Sequence, residues 1–140
     1  MFAWVWPKPP DKEGFVNQPR FSTLNLIKEP IPEGGEVVAY HCAQNFTRMY
    51  GSIACDQALE AIFTFSNDEV TPDGDYITDE NMKTLHYDAE ALKLAYEPSK
   101  QSATGKYLVT IYGRFLSVRI KNVGTKPIEW IRFYVRGSVF

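Results

Sequence analysis

From residue 21 onward, apolar and polar side chains alternate with a period of two. Phe21-Ser-Thr-Leu-Asn-Leu-Ile covers residues 21–27 and Glu36-Val-Val-Ala-Tyr-His-Cys covers 36–42. An extended strand sends successive side chains to opposite faces, so this pattern predicts strands buried on one side. Residues 49–55 and 59–66 read the same way, the first with a kink at Gly51. Residues 106–112 place Tyr107, Val109 and Ile111 on one face. Residues 114–121 place Leu116, Val118 and Ile120 inward, with Arg119 and Lys121 outward. The closing stretch, 127–135, puts Ile131, Phe133 and Val135 on one face and Trp130, Arg132 and Tyr134 on the other, with Arg136 continuing the second set.

Punctuation agrees with these spans. Pro30-Ile-Pro-Glu-Gly-Gly35, the acidic stretch around Pro72 and Gly74, and Asn122-Val-Gly-Thr125 all read as turns. Residues 82–96 are ambiguous. Asp88-Ala-Glu-Ala-Leu-Lys-Leu-Ala-Tyr96 has helix-forming composition, yet Leu92, Leu94 and Tyr96 alternate with Ala91, Lys93 and Ala95. The strands on either side favour a strand there. The fold class expected is all-β: an antiparallel β-sandwich of jelly-roll type with about eight strands, formed by residues 21–140 as one domain. Residues 1–20 are expected to form an extended arm, because Pro7, Pro9, Pro10 and Pro19 block regular structure. That arm carries Phe2, Trp4 and Trp6 beside Pro7. Its aromatics bury either on the chain's own domain or on a neighbouring subunit.

Composition adds exclusions. The chain has 140 residues, 44% hydrophobic and 23% charged, which is ordinary for a globular protein and unlike a disordered chain, a coiled coil or collagen. No apolar run approaches the roughly 18 residues needed to span a bilayer, so no membrane partner is expected. The N-terminus lacks a basic segment followed by an apolar stretch, so no secretory signal is expected and synthesis in a cytoplasm is. The net charge of −2 argues against direct nucleic-acid binding.

That net charge is a cancellation of two opposed blocks. Residues 1–55 carry five acids and five bases. Residues 56–97 carry eleven acids against Lys83 and Lys93, a net of −9. Residues 98–140 carry eight bases against Glu129, a net of +7. The blocks either lie side by side and cancel within one chain, or point apart and leave it bipolar.

Candidate chemistry is sparse. There is no Gly-x-Ser-x-Gly, and His41 and His86 have no partner pattern of a catalytic triad. Gly34-Gly35 is not a phosphate loop. Asp68, Glu69, Asp73, Asp75, Asp79 and Glu80 lack the ligand order of a calcium loop and read as a solvated acidic turn. Cys42 and Cys55 read as small buried hydrophobes; a disulfide between them is left open, and a zinc site has too few ligands at suitable spacing. No catalytic residue, metal or cofactor is therefore expected. The surface candidate is the stripe Trp130, Arg132, Tyr134 and Arg136, residue types enriched where proteins meet. Three readings stand for it: a subunit interface, a face covered by the chain's own arm or second layer, or a ligand face.

The order of several short motifs resembles a β-sandwich module of tailed-phage virion proteins, such as head decoration proteins and fibre or spike domains. These motifs are Ile31-Pro-Glu-Gly-Gly35 before a strand, Gly51-Ser-Ile-Ala-Cys-Asp-Gln57, Phe63-Thr-Phe-Ser66 with an Asp73-Gly74 turn, and Tyr112-Gly-Arg-Phe-Leu-Ser-Val-Arg-Ile-Lys-Asn-Val-Gly-Thr125. The match spans residues 26–136, with Cys55 where the modules carry Ser and Leu116-Ser117 where they favour a Tyr-x-Arg pattern. The resemblance implies a non-enzymatic structural virion protein, most simply a capsid decoration or accessory protein. It implies a homo-oligomer, a trimer favoured, in contact with the major capsid protein or other virion proteins and located in the virion. The alternative is a carbohydrate-binding or host-attachment module with a glycan partner.

Overall fold

A computed structural model describes residues 21–25, 29–43 and 46–138. The arm at 1–20, including Phe2, Trp4, Trp6 and Pro7, lies outside the described residues. The described chain is all-β, as the alternation predicts. Its strands are β1 (Phe21–Asn25), β2 (Glu36–Cys42), β3 (Arg48–Cys55), β4 (Leu59–Ser66), β5 (Ala89–Tyr96), β6 (Lys106–Thr110), β7 (Phe115–Asn122) and β8 (Ile131–Ser138), with one short helix, α1 (Gln101–Thr104). They form two four-stranded sheets, ordered β1-β8-β3-β6 and β2-β7-β4-β5. Every strand pair is antiparallel.

The ambiguous stretch resolves as a strand preceded by a single 3-10 turn at Met82–Thr84. Leu92, Leu94 and Tyr96 pack on the core, and this burial outweighs the helical composition of the segment. The register against β4 shifts between Phe63 and Thr64, where Leu92 and Glu90 are the successive partners and Ala91 is extra. That bulge breaks the alternation once, between Glu90 and Leu92, ahead of the regular run to Tyr96.

Several boundaries differ from the sequence reading, among them the end of β6 at Thr110 rather than 112. The last strand starts at Ile131 rather than 127 and runs on to Ser138. Residues 127–130 leave the ladder: Ile128 exchanges two backbone hydrogen bonds with Ile31, and the Glu129 amide donates to the Asp56 carboxylate at 3.1 and 3.2 Å. The third strand begins at Arg48, one residue before the expected start at 49.

One core draws on both sheets. Met49, Ile53, Tyr107, Val109, Ile131 and Phe133 come from one, and Ala39, Leu59, Phe63, Phe65, Tyr96, Leu116, Val118 and Ile120 from the other. Phe63 joins them, its ring centroid 5.1 Å from Tyr107 and 6.2 Å from Phe133. Burying each such side chain stabilises the fold by about 1.5–3 kcal/mol. Gly51 sits on the inward side of β3, where a Cβ would lie 1.8 Å from the Tyr134 carbonyl oxygen. Its missing side chain lets the Tyr107 hydroxyl donate to that oxygen at 2.9 Å, so the kink read from the sequence is a close approach of β3, β6 and β8. Asn122, buried at the end of β7, donates through Nδ2 to the carbonyls of Ile31 and Lys126 and accepts from the Gly124 amide.

The 22 residues between β4 and β5, residues 67–88, form the acidic excursion. Met82 and Leu85 are buried beside Phe115 of β7, packed with Ile77, Tyr87, Tyr40 and Cys42. The excursion thus lies on the outer face of β2-β7-β4-β5. The Asp68 carboxylate accepts from the His86 amide at 2.8 Å, Asn81 ties Thr78 to Tyr76, and Gly74 takes a positive φ of +87° in a turn closed by Thr71. These turns order the backbone that carries its acids.

Candidate interaction surface

Cross-strand partners share a face, so the register assigns the outer surface of each sheet. On β1-β8-β3-β6, Arg132 stands opposite Ala54, Tyr134 opposite Ser52 and Arg136 opposite Tyr50. On the other side of β3, Ser52 faces Lys106, Tyr50 faces Leu108 and Arg48 faces Thr110. The outer face therefore collects Arg48, Lys106, Arg132 and Arg136 around Tyr50, Tyr134 and Leu108. Leu108 is 63% exposed. Four cationic residues and no acid occupy the described outward positions of β3, β6 and β8.

Trp130 is held at the end of this face. Its neighbours Ile128 and Ile131 are fully buried, and the Asp56 clamp fixes the backbone at Glu129. The Arg132 guanidinium lies over the indole, 5.5 Å from the ring centroid. Such a pair presents a preformed cationic and aromatic surface. The structure thus brings Trp130, Arg132, Tyr134 and Arg136 together along one line that follows β8, an interior strand of its sheet. It adds Arg48, Tyr50, Lys106 and Leu108, which the sequence reading did not single out. Alternation already marks Lys106 and Leu108 as outward; what it lacks is the adjacency of β6 and β3 to β8.

The outer face of β2-β7-β4-β5 is built differently. Glu36, Glu60 and Glu90 share it with Lys93, Arg119 and Lys121. Lys93 Nζ lies 3.5 Å from Glu60, and Arg119 Nε lies 3.8 Å from Glu36. The charge blocks of the sequence therefore divide. The β7 bases cancel against β2 and β4, while the β6 and β8 bases stand on the other side of the molecule. Where the excursion meets this second face, a notch of about 290 Å³ opens between Tyr40, Tyr87, Thr64, Ser117, Lys83 and Arg119. Thr64 and Ser117 hydroxyls are 3.2 Å apart, and the tyrosine rings are 5.4 Å apart. Burial pushes the Tyr87 phenol up, reinforced by Tyr40 and Asp68, and its hydroxyl donates to the Met82 carbonyl.

The remaining candidates are dispersed. His41 points into the core, and burial holds its imidazole well below the ordinary range, so it is neutral at pH 7. His86 is exposed, 3.5 Å from Asp88. Cys42 and Cys55 are both free thiols. Cys42 joins the cluster under the excursion while Cys55 is in the core, where burial pushes its thiol up to about 12. Among the described residues, no group of three or more His, Cys, Asp or Glu side chains converges as metal ligands do, and no helix is long and apolar enough to cross a membrane.

No protein-family model matches the chain, and no curated protein matches it either. The likeness to phage virion modules rests on the short motifs alone.

Proposed function

We propose that this chain is a non-enzymatic structural protein of a virus particle, a capsid decoration or accessory protein that assembles with itself, built on a jelly-roll sandwich. The observation that carries this reading is the pairing of the strands. β4 pairs with β5, β3 with β6, β2 with β7 and β1 with β8. This nested order supports the jelly-roll reading, in which one long hairpin rolls into two facing sheets as in eight-stranded viral capsid and lectin domains. The step from fold to particle is an analogy of architecture. The cationic and aromatic face supports the assembly part on its own chemistry, since Arg, Tyr and Trp dominate interface energetics.

The test is fractionation of particles from the source culture on a density gradient. Peptides of this chain co-migrating with intact particles, and staying after a salt wash, support the reading. Peptides confined to the soluble fractions overturn it.

The notch beneath the excursion favours carbohydrate binding as the second reading, because hydroxyls, two tyrosines and two cations suit an acidic sugar. A glycan array with wild type, Arg119→Ala and Trp130→Ala separates the two. Binding lost in Arg119→Ala supports a glycan site in the notch, and loss in Trp130→Ala assigns it to the stripe. No binding by wild type removes this reading.

A further inference from the structure

We propose that the cationic face of β1-β8-β3-β6 docks the acidic excursion of a second copy of this chain, head to tail. The face presents Arg48, Lys106, Arg132 and Arg136, a net of +4. The excursion carries Asp68, Glu69, Asp73, Asp75, Asp79, Glu80 and Asp88 against Lys83, a net of −6. Met82 and Leu85 pin it to the outer face of the other sheet. The core between the sheets separates the two features, so within one chain they point away from each other. Between two copies they are complementary in sign, and opposite charge both steers encounter and fixes register.

Both partners are preorganised. The face is a hydrogen-bonded sheet, and the excursion is held by the Asp68, Asn81 and Thr71 contacts described above. Each also offers apolar area: Leu108 is 63% exposed on β6, the edge strand of the face, and Tyr76 is 90% exposed between Asp75 and Asp79. Charge also selects between occupants from this chain. Residues 1–20 carry Lys8, Lys12 and Arg20 against Asp11 and Glu13, a net of +1, and do not complement a cationic face. The excursion does. Because the two surfaces differ, the contact is heterologous: each copy keeps one surface open until a ring closes or a filament grows. The proposal rests on the assembly part of the function proposed above and not on the particle part, and it is tested in purified protein without particles.

Sedimentation velocity of the full chain is measured at 50 mM and 500 mM NaCl. Raising salt shortens the screening length severalfold, so self-association weakens about tenfold or more. Lys106→Glu/Arg132→Glu, both exposed, gives a monomer at 50 mM NaCl, as does Asp73→Lys/Asp75→Lys/Asp79→Lys. Mixing the two variants restores a complex, since one retains the native excursion and the other the native face. Thermal melts establish that each variant is folded. A wild type that is monomeric at 50 mM NaCl overturns the proposal. So does a mass indifferent to salt, or a mixture of folded variants that forms no complex. Failure of particle co-migration with success here rejects the virion reading alone.

Discussion

The outer faces of the two sheets solve the same problem in opposite ways. Both are antiparallel surfaces with one side on a shared core, and both carry bases on a central strand. On β2-β7-β4-β5, every base has a carboxylate as a cross-strand or diagonal neighbour, and the excursion roofs part of the face with Met82 and Leu85. On β1-β8-β3-β6, the outward positions of β3, β6 and β8 bring Arg48, Lys106, Arg132 and Arg136 together with no acid. The first face is finished within the chain. The second collects bases without acids at the described outward positions of β3, β6 and β8, and that difference, more than the net charge of −2, motivates the docking proposed above.

The largest perturbation removes what the faces share. Phe63→Ala empties the position that touches both sheets and is expected to cost about 3–5 kcal/mol, read as a lower urea midpoint. It should abolish both surfaces together; loss of one alone would show that the sheets are independently stable. Leu85→Ala strips the roof from one face only. It is expected to cost about 2–3 kcal/mol, and hydrogen exchange should rise in residues 67–88 while β3, β6 and β8 stay protected. Equal deprotection of both sheets would contradict the division drawn here.

His41 supplies a pH test of the shared core. Its native imidazole titrates below the ordinary value, so the unfolded chain binds a proton more readily. Stability from this group is complete above about pH 6.5 and is lost as pH falls below it, with a slope approaching about 1.4 kcal/mol per pH unit. Urea midpoints between pH 7 and pH 5 should fall, with NMR showing a neutral His41 ring in the folded state throughout. A ring that titrates near pH 6.5 while folded would remove the effect. The smallest change is expected at the charges themselves. Glu36→Gln breaks an exposed ion pair with Arg119 and should cost about 0.5 kcal/mol or less by thermal melt. A loss above about 1 kcal/mol would mean that the pair is part of the scaffold.

Much of this was legible in the chain. Period-two alternation located β2, β4, β6 and β7 closely, because each buries one face and exposes the other. At β5 the favoured strand forms, with Leu92, Leu94 and Tyr96 on the core, although the Ala91 bulge interrupts its period; the alternation failed at 127–130, where the Asp56 clamp and the Ile31–Ile128 bridge hold the chain outside the ladder. The Trp130 to Arg136 stripe was readable because it lies on one strand. The rest of its face was not. Tyr50 and Arg136, or Leu108 and Tyr50, become neighbours only through strand order, and local pattern carries no record of that. For the same reason the opposed charge blocks left cancellation and bipolarity equally open. Lys121 meets Glu36 and Glu60, while Arg132 meets Ala54, although both bases belong to one block.

The nested pairing also has a kinetic meaning. Its contacts lengthen in sequence from β4·β5 outward, and loop-closure entropy must be met before each outer pair is rewarded, so the chain is expected to fold slowly. The outermost pair, β1·β8, joins segments that are more than a hundred residues apart in the sequence. Among the described residues β8 follows every other strand in the sequence, and it also carries Arg132, Tyr134 and Arg136. The cationic face proposed as a docking surface is therefore assembled only when this outermost layer of pairing is in place.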